Sequence, residues 1–366
     1  MPEVVVVGAG IIGASIARFA AERGAAVTVV DAARPAGGTS LATFAWVNAA
    51  GKQPRAYFDL NVAGIAAHRE LVERLGGGEW YHAGGNLEWG PADAVTERAT
   101  RHREWGYAVE TIDAAEARRL EPAARIGPDD GVAFSADDAW VDPVLLVARL
   151  LDDPRITTLL GTRVTAIATD GGRATGVALA DGRRIAADFV VVATGPDAAE
   201  LLAPLGLDLP MRHAPGLMAV TEPVAVPVGR IIHAPGISFR PDGAGRLLLA
   251  ADSVDKQLDV AGGPLSVDAA ADELLARTRR AISGLDGIGF EALRIGRRAL
   301  TADGYPAVGP VPGTDGAYLA VTHSGVTLAP HLGQLVAREL LDDLSDPTLD
   351  DYRPGRFAAA AHAPQP

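Results

Sequence analysis

The sequence predicts a mixed α/β protein: a mostly parallel sheet carrying an inserted β-meander, joined to an α+β region whose sheet is mainly antiparallel. Three observations predict it. The stretch VVVVGAGIIGASIARF (residues 4–19) runs from a β-branched strand through a glycine turn into a helix. The stretch VTAIATDGGRATGVALADGRRIAADFVVVATG (residues 164–195) holds three strand-like runs separated by turns, the last of them, FVVVATG, fully apolar. Around residues 237–251, ISFRPDGAGRLLLAA alternates strands and turns as an antiparallel sheet does.

Taken in order, Val4 to Val7 is a continuous apolar run, expected of a strand buried on both faces of a parallel sheet. Ile11, Ile12, Ile16, Phe19 and Ala20 then recur at helical spacing, with Gly24 placed to stop the helix. AAVTVV follows as a second strand ending at Asp31. Gly8, Gly10 and Gly13 form G-x-G-x-x-G across this β-turn-α-β unit. Such glycines allow a tight turn, close backbone approach to a pyrophosphate, and helix-on-strand packing. The first helical residues, Ile11 and Ile12, offer free N–H groups at the positive end of the helix dipole. Asp31 lies 18 residues past Gly13, near the roughly 20 expected of a carboxylate bonding ribose hydroxyls. A Rossmann-like dinucleotide site is the reading.

RPAGGTS (residues 34–40) places Gly38, Thr39 and Ser40 where a loop passes a second phosphate or ribose edge. A helical stretch from Pro54 to Leu75, the strand GGNLEW and a charged helix containing ERATRHREWG come next. Turns at DGG (170–172) and DG (181–182) divide the meander. FVVVATG then returns as a buried strand ending at Thr194-Gly195. A meander inserted in a dinucleotide fold suits a flavin nucleotide better than a nicotinamide one.

Composition narrows the function. A formal charge of −13 argues against nucleic acid or an anionic membrane as partner. The absence of cysteine excludes disulfides, thiolate metal sites, a cysteine nucleophile and a thioether-tethered cofactor. The N-terminal apolar run lacks a basic flank and is interrupted by Arg18, so it reads as neither signal peptide nor membrane span. The tail FAAAAHAPQP is of low complexity, without a lipidation or targeting motif. A cytoplasmic protein is expected.

Four blocks carry a family resemblance: VVVVGAGIIGASIA, GGTS, DFVVVATGPDAAEL and RRALTADGYPAVGPVPGTDGAYLAVTHSGVTLAPHLGQLVARELL. YHAGGNLEW and AWVDPVLLVARL also sit where the family has a substrate-domain strand and a return helix. The chain resembles the FAD-dependent D-amino-acid oxidase family, which includes glycine oxidase and sarcosine oxidases, over nearly its whole length. The resemblance implies an FAD domain from residues 1–45, 141–215 and 300–366, and a substrate domain from 46–140 and 216–299.

It also implies site residues. Gly325, Val326, Thr327 and Leu328 would present backbone N–H groups to the pyrimidine end of the flavin, at the start of a helix beginning TLAPHLGQLVARELL. Reduction puts negative charge there, which donors and a positive helix end stabilise. Val164 would meet the adenine, and Pro196 would follow the turn near the phosphates. Arg298, three residues before Thr301, holds the place of the arginine that clamps the substrate carboxylate. Ala299 stands where many members have proline. Arg297 is its neighbour, and on a strand only one of the two is expected to point inward. No histidine lies between Ser40 and Lys52, so FAD is expected without a covalent bond. The strand GRLLLAAD lacks the lysine that some members use near the flavin; Lys52 is a catalytic candidate that could reach the ring from another direction, but it reads more simply as a surface lysine, which leaves the acceptor, oxygen or a redox partner, open. His323 reads as structural. Trp46, His82, Trp89, His233 and Tyr305 are the aromatic and imidazole candidates for the pocket.

The activity so implied is oxidation of the C–N bond of an amino acid or N-alkyl amino acid, by hydride transfer to flavin N5 and hydrolysis of the imine. Two alternatives stand beside it. One is a flavin-bearing subunit of a hetero-oligomeric amine dehydrogenase that hands electrons to a partner. The other is a flavin monooxygenase.

Overall fold

A computed structural model describes residues 1–358; of the low-complexity tail, residues 359–366 lie outside the described residues. A six-stranded sheet runs in the order Ala307–Pro310, Ala317–Val321, Phe189–Val192, Glu3–Val7, Ala26–Asp31, Ile156–Leu160. Every neighbouring pair in it is parallel except the first. The VVVV run is central, and its alternating side chains enter two cores. Val4 and Val6 pack with the helices Ile11–Glu22 and Gly325–Asp342 on one face. Val5 and Val7 pack against Ile167 and Val177 of the meander on the other. Both faces being dry, no polar alternation is needed.

The meander is an antiparallel sheet of Val164–Asp170, Arg173–Leu179 and Arg184–Ala186; its turns fall at DGG and DG as predicted, while the short third strand precedes the FVVV run and was not read from the sequence. A second large sheet has eight strands, ordered Phe290–Arg297, Pro215–Thr221, Leu247–Ala250, Ile237–Pro241, Ile231–Ala234, Asn86–Pro91, Asp130–Ser135, Glu110–Ile112. Its pairs are antiparallel apart from Ile231–Ala234 with Asn86–Pro91. Leu274 and Leu275 of the helix Val267–Ala281 cover one face by packing on Leu217, Leu247 and Leu249. A small sheet of Trp46–Val47, Ala139–Val141 and Tyr81–Ala83 lies between the two large ones in the chain's path. The mixed architecture predicted from the sequence is the one observed. No helix among the described residues is long and apolar enough to cross a membrane.

Two glycines bring three helices unusually close. A Cβ on Gly333 would lie 2.9 Å from the Ser15 carbonyl and 2.7 Å from the Phe19 ring, so the C-terminal helix nests against Ile11–Glu22. A Cβ on Gly64 would lie 2.5 Å from the Thr327 carbonyl oxygen, which seats Arg55–Leu75 on the first turn of the same helix. That helix begins at Gly325, two residues before the predicted start, and contains Pro330. Proline has no N–H, so the Val326 carbonyl four residues earlier lacks its helical donor. His68 Nε2 takes that place at 2.8 Å. Burial holds His68 neutral, its pKa lowered to about 4.

Candidate active site

The glycine turn, the Gly38–Ser40 loop, the meander, the Phe189–Val192 strand end and the C-terminal helix enclose one continuous cavity of about 1670 Å³, which extends to the eight-stranded sheet. That exceeds the roughly 300–1,000 Å³ of a drug-sized site and leaves room for a dinucleotide beside a substrate.

At the nucleotide end, Gly8 has φ +110, and a Cβ there would lie 2.5 Å from the Ala193 carbonyl oxygen. A Cβ on Gly13 would collide with the Gly8 carbonyl oxygen, so both positions require glycine. The Ile11–Glu22 helix has no side-chain cap at Gly10. Ile11 N–H is held by Ser40 Oγ at 3.0 Å, while Ile12 N–H has no protein acceptor among the described residues. Asp31 Oδ2 accepts from Ala9 N–H and Oδ1 from Ala33 N–H, each at 2.7 Å, which fixes the acid beside the turn. Asp31, Gly38, Thr39, Ser40, Val164, Thr194, Gly195 and Pro196 all reach the cavity wall.

At the far end, Gly325, Val326 and Thr327 form the first turn of the C-terminal helix and also reach the wall. Their N–H groups have no side-chain cap: the Ser324 hydroxyl that would supply one is bonded to the Tyr57 hydroxyl at 2.7 Å. An N-terminus with free donors aimed into a cavity suits the electron-rich edge of a ring system. Leu328 stands off the wall; its side chain is buried and its N–H donates to the Ser324 carbonyl at 2.9 Å. The donor set, the free Ile12 N–H beside the Asp31 carboxylate and the uncapped start of the C-terminal helix along one cavity, fits a flavin dinucleotide.

Arg298 reaches the cavity wall just past the end of the edge strand Phe290–Arg297, with its side chain 28% exposed. Nη2 donates to Asp255 Oδ2 at 2.6 Å and to Asp252 Oδ1 at 2.8 Å. Asp255 is 4% exposed and also accepts from Leu217 N–H at 2.9 Å. Burial raises its pKa against the opposing pull of that N–H and of Arg298. Gly216 supplies the slot, since a Cβ there would lie 3.0 Å from Asp255 and 3.3 Å from Arg298 Nε. Nε and Nη1 have no protein acceptor among the described residues. Arg297 reaches the wall too, where its Nη2 donates to both carboxylate oxygens of Asp197 at 2.7 Å and its carbonyl accepts from the Thr39 hydroxyl at 2.6 Å. The one-inward expectation therefore fails: the strand ends at Arg297, so strict alternation no longer applies.

Lys52 is a second correction. It lies half-buried on the cavity wall with Nζ 5.9 Å from the centre of the Tyr57 ring, and desolvation lowers its pKa. His323 shares that wall. Burial, then the charges of Lys52 and Arg298, lower its pKa to about 4, so it is neutral at pH 7. Trp46, Trp89 and His233 reach the wall. The Trp46 and His233 rings lie 4.3 Å apart, and His233 Nδ1 bonds Asn86 Oδ1 at 2.7 Å. His82 stacks on Trp140 and Tyr305 packs edge-on to Tyr57, neither reaching the wall.

Sequence reasoning missed Arg98, Glu88 and Asp252, all on the wall. Arg98 pairs with Glu88. Its signal was its place beside Val95 and Ala99, the buried stripe of a helix that otherwise reads as solvated.

Fold and site together define an FAD-dependent oxidoreductase acting on amino acids or amines. Residues 3–339 match the family described as DAO, FAD dependent oxidoreductase, and the chain belongs to it. It is 29% identical to glycine oxidase of Pseudomonas aeruginosa, over 91% of this chain and 93% of that one. Among solved structures it resembles iminodiacetate oxidase from Chelativorans sp. BNC1, with 26% identity, TM-score 0.83, and 96% and 98% of the two chains covered. It also shares the fold of L-proline dehydrogenase from P. horikoshii, at TM-score 0.83 and 20% identity over 98% of each chain.

Proposed function

We propose that the protein oxidises the C–N bond of a small amino acid or N-alkyl amino acid whose carboxylate is held by Arg298. The observation that carries this is a guanidinium on the cavity wall that is held at Nη2 by Asp252 and Asp255 and keeps its Nε–H and Nη1 donors without a protein acceptor among the described residues. A cation immobilised in this way offers a carboxylate a charge-assisted bond from Nε–H or from Nη1. FAD, when bound, supplies the acceptor for the hydride that leaves the carbon beside nitrogen. The chain's own part is to place that carbon and to exclude water. Trp46, Trp89 and Met218 give the substrate end apolar walls. Neutral His323 adds no charge beside an amine that must be unprotonated to release hydride. The resulting imine hydrolyses to a carbonyl compound and an amine or ammonia. The names of the Pseudomonas and Chelativorans relatives, glycine oxidase and iminodiacetate oxidase, support small carboxylated amines as the substrate class.

The test is steady-state kinetics of Arg298→Ala with the best substrate from a panel of D-, L- and N-methyl amino acids. KM rises by about a hundredfold or more if the guanidinium holds the carboxylate. An unchanged KM refutes the assignment.

A further inference from the structure

The charged residues at the substrate end of the cavity are paired, with one exception. Arg98 has Glu88, and Arg298 has Asp252 and Asp255. Lys52 makes no ion pair and no side-chain hydrogen bond among the described residues, although it reaches the same wall. Its nearest aromatic, Tyr57, has its hydroxyl engaged with Ser324 and offers Lys52 only a ring. A half-buried ammonium without a counter-charge is unfavourable unless a ligand provides one. Lys52, His323 and Arg298 line the same cavity, so one substrate can meet both cations. Arg298 already has two carboxylates on Nη2, and its remaining donors, Nε–H and Nη1, suffice for a single further one.

We propose that Lys52 binds a second anionic group of the substrate, and that the enzyme prefers amines carrying two acidic groups, such as dicarboxylic amino acids or N-carboxymethyl amino acids. This rests on the Arg298 reading for the first carboxylate. Lys52 then determines specificity: the ammonium adds nothing for a monocarboxylate and a charge-assisted bond for a diacid.

The experiment uses the FAD-loaded enzyme and non-oxidisable probes, reading the change in flavin absorbance on binding. The monocarboxylates propionate and butyrate are titrated against the diacids malonate, succinate and glutarate, in wild type, Lys52→Met, Lys52→Gln and Arg298→Met. Wild type is expected to bind the best diacid at least about tenfold more tightly than the monocarboxylates. Both Lys52 variants erase that preference and leave monocarboxylate affinity unchanged, while Arg298→Met weakens both classes. Equal affinity of wild type for the two classes overturns the proposal. So does a diacid preference that survives in the folded Lys52 variants, or Lys52 variants that bind every probe normally and lose only the speed of reoxidation by oxygen. Failure of the Arg298 reading is distinguishable, because Arg298→Met would then leave monocarboxylate affinity intact.

Discussion

Replacing Gly64 by alanine tests whether the first turn of the C-terminal helix is the rigid element that receives the cofactor. The new Cβ would start 2.5 Å from the Thr327 carbonyl oxygen and 3.1 Å from its carbon. Reaching ordinary contact at about 3.4 Å requires one helix to withdraw by about 0.9 Å. The C-terminal helix has little room to move, because Gly333 is packed on Ser15 and Phe19. Arg55–Leu75 is tied to it one turn further on by His68 and Val326. Strain therefore falls on the Gly325–Thr327 turn and on the 3.2 Å bonds that join Thr327 Oγ1 to the Trp46 carbonyl and Asn48 N–H. Overpacking of this kind costs about 1–3 kcal/mol. Displacing an oriented group by about 1 Å can cost ~10²-fold in rate. Gly64→Ala is expected to weaken FAD binding about tenfold or more, measured by quenching of flavin fluorescence, and to lower kcat by one to two orders of magnitude. Gly78→Ala is the control, since no heavy atom lies within 4 Å of its Cβ. Equal FAD affinity and kcat in Gly64→Ala and wild type would refute the reasoning.

Three further outcomes follow from particular contacts. Asp31→Ala removes the acceptor that holds Ala9 and Ala33 N–H, and FAD affinity is expected to fall by more than about tenfold in the same assay. Asp255→Asn, which leaves Asp252 alone to orient Arg298, is expected to raise KM for the carboxylated substrate severalfold with kcat largely retained; an unchanged KM would show that Asp252 suffices. Asp138 is fully buried between Tyr107 and the Trp46 indole, and burial raises its pKa from 3.8 to about 7. Between those values the folded protein keeps a proton that the unfolded chain releases. Stability therefore falls as pH rises from about 4 to about 7 and is level in this respect above, by at most roughly 4 kcal/mol. Tm of wild type relative to Asp138→Asn is expected to decline over that window, and parallel Tm curves would contradict the assignment.

The nucleotide half was legible because glycine spacing encodes backbone geometry directly. Gly8 and Gly13 are required by contacts within a few residues of the turn or one strand away, and the VVVV run already announces a strand dry on both faces. The substrate end was less legible. Lys52 carries no local pattern; its burial follows from the way its segment folds over Tyr57. Arg298 could be placed by its motif, but its partners Asp252 and Asp255 come from more than forty residues earlier. Arg98 and Glu88 meet only because a helix that looks solvated is laid beside its own strand. Such pairings are products of tertiary packing, and no periodicity in the chain announces them.

The most direct measurement mixes the FAD-loaded protein, under anaerobic conditions, with a reactive amino acid and with the same amine lacking its carboxylate. Loss of the flavin band at about 450 nm is followed in wild type and Arg298→Met. Bleaching by the amino acid alone, abolished in the variant at matched concentration, is the predicted result. Equal bleaching by both amines, or by both proteins, would contradict a carboxylate-anchoring Arg298 beside the flavin.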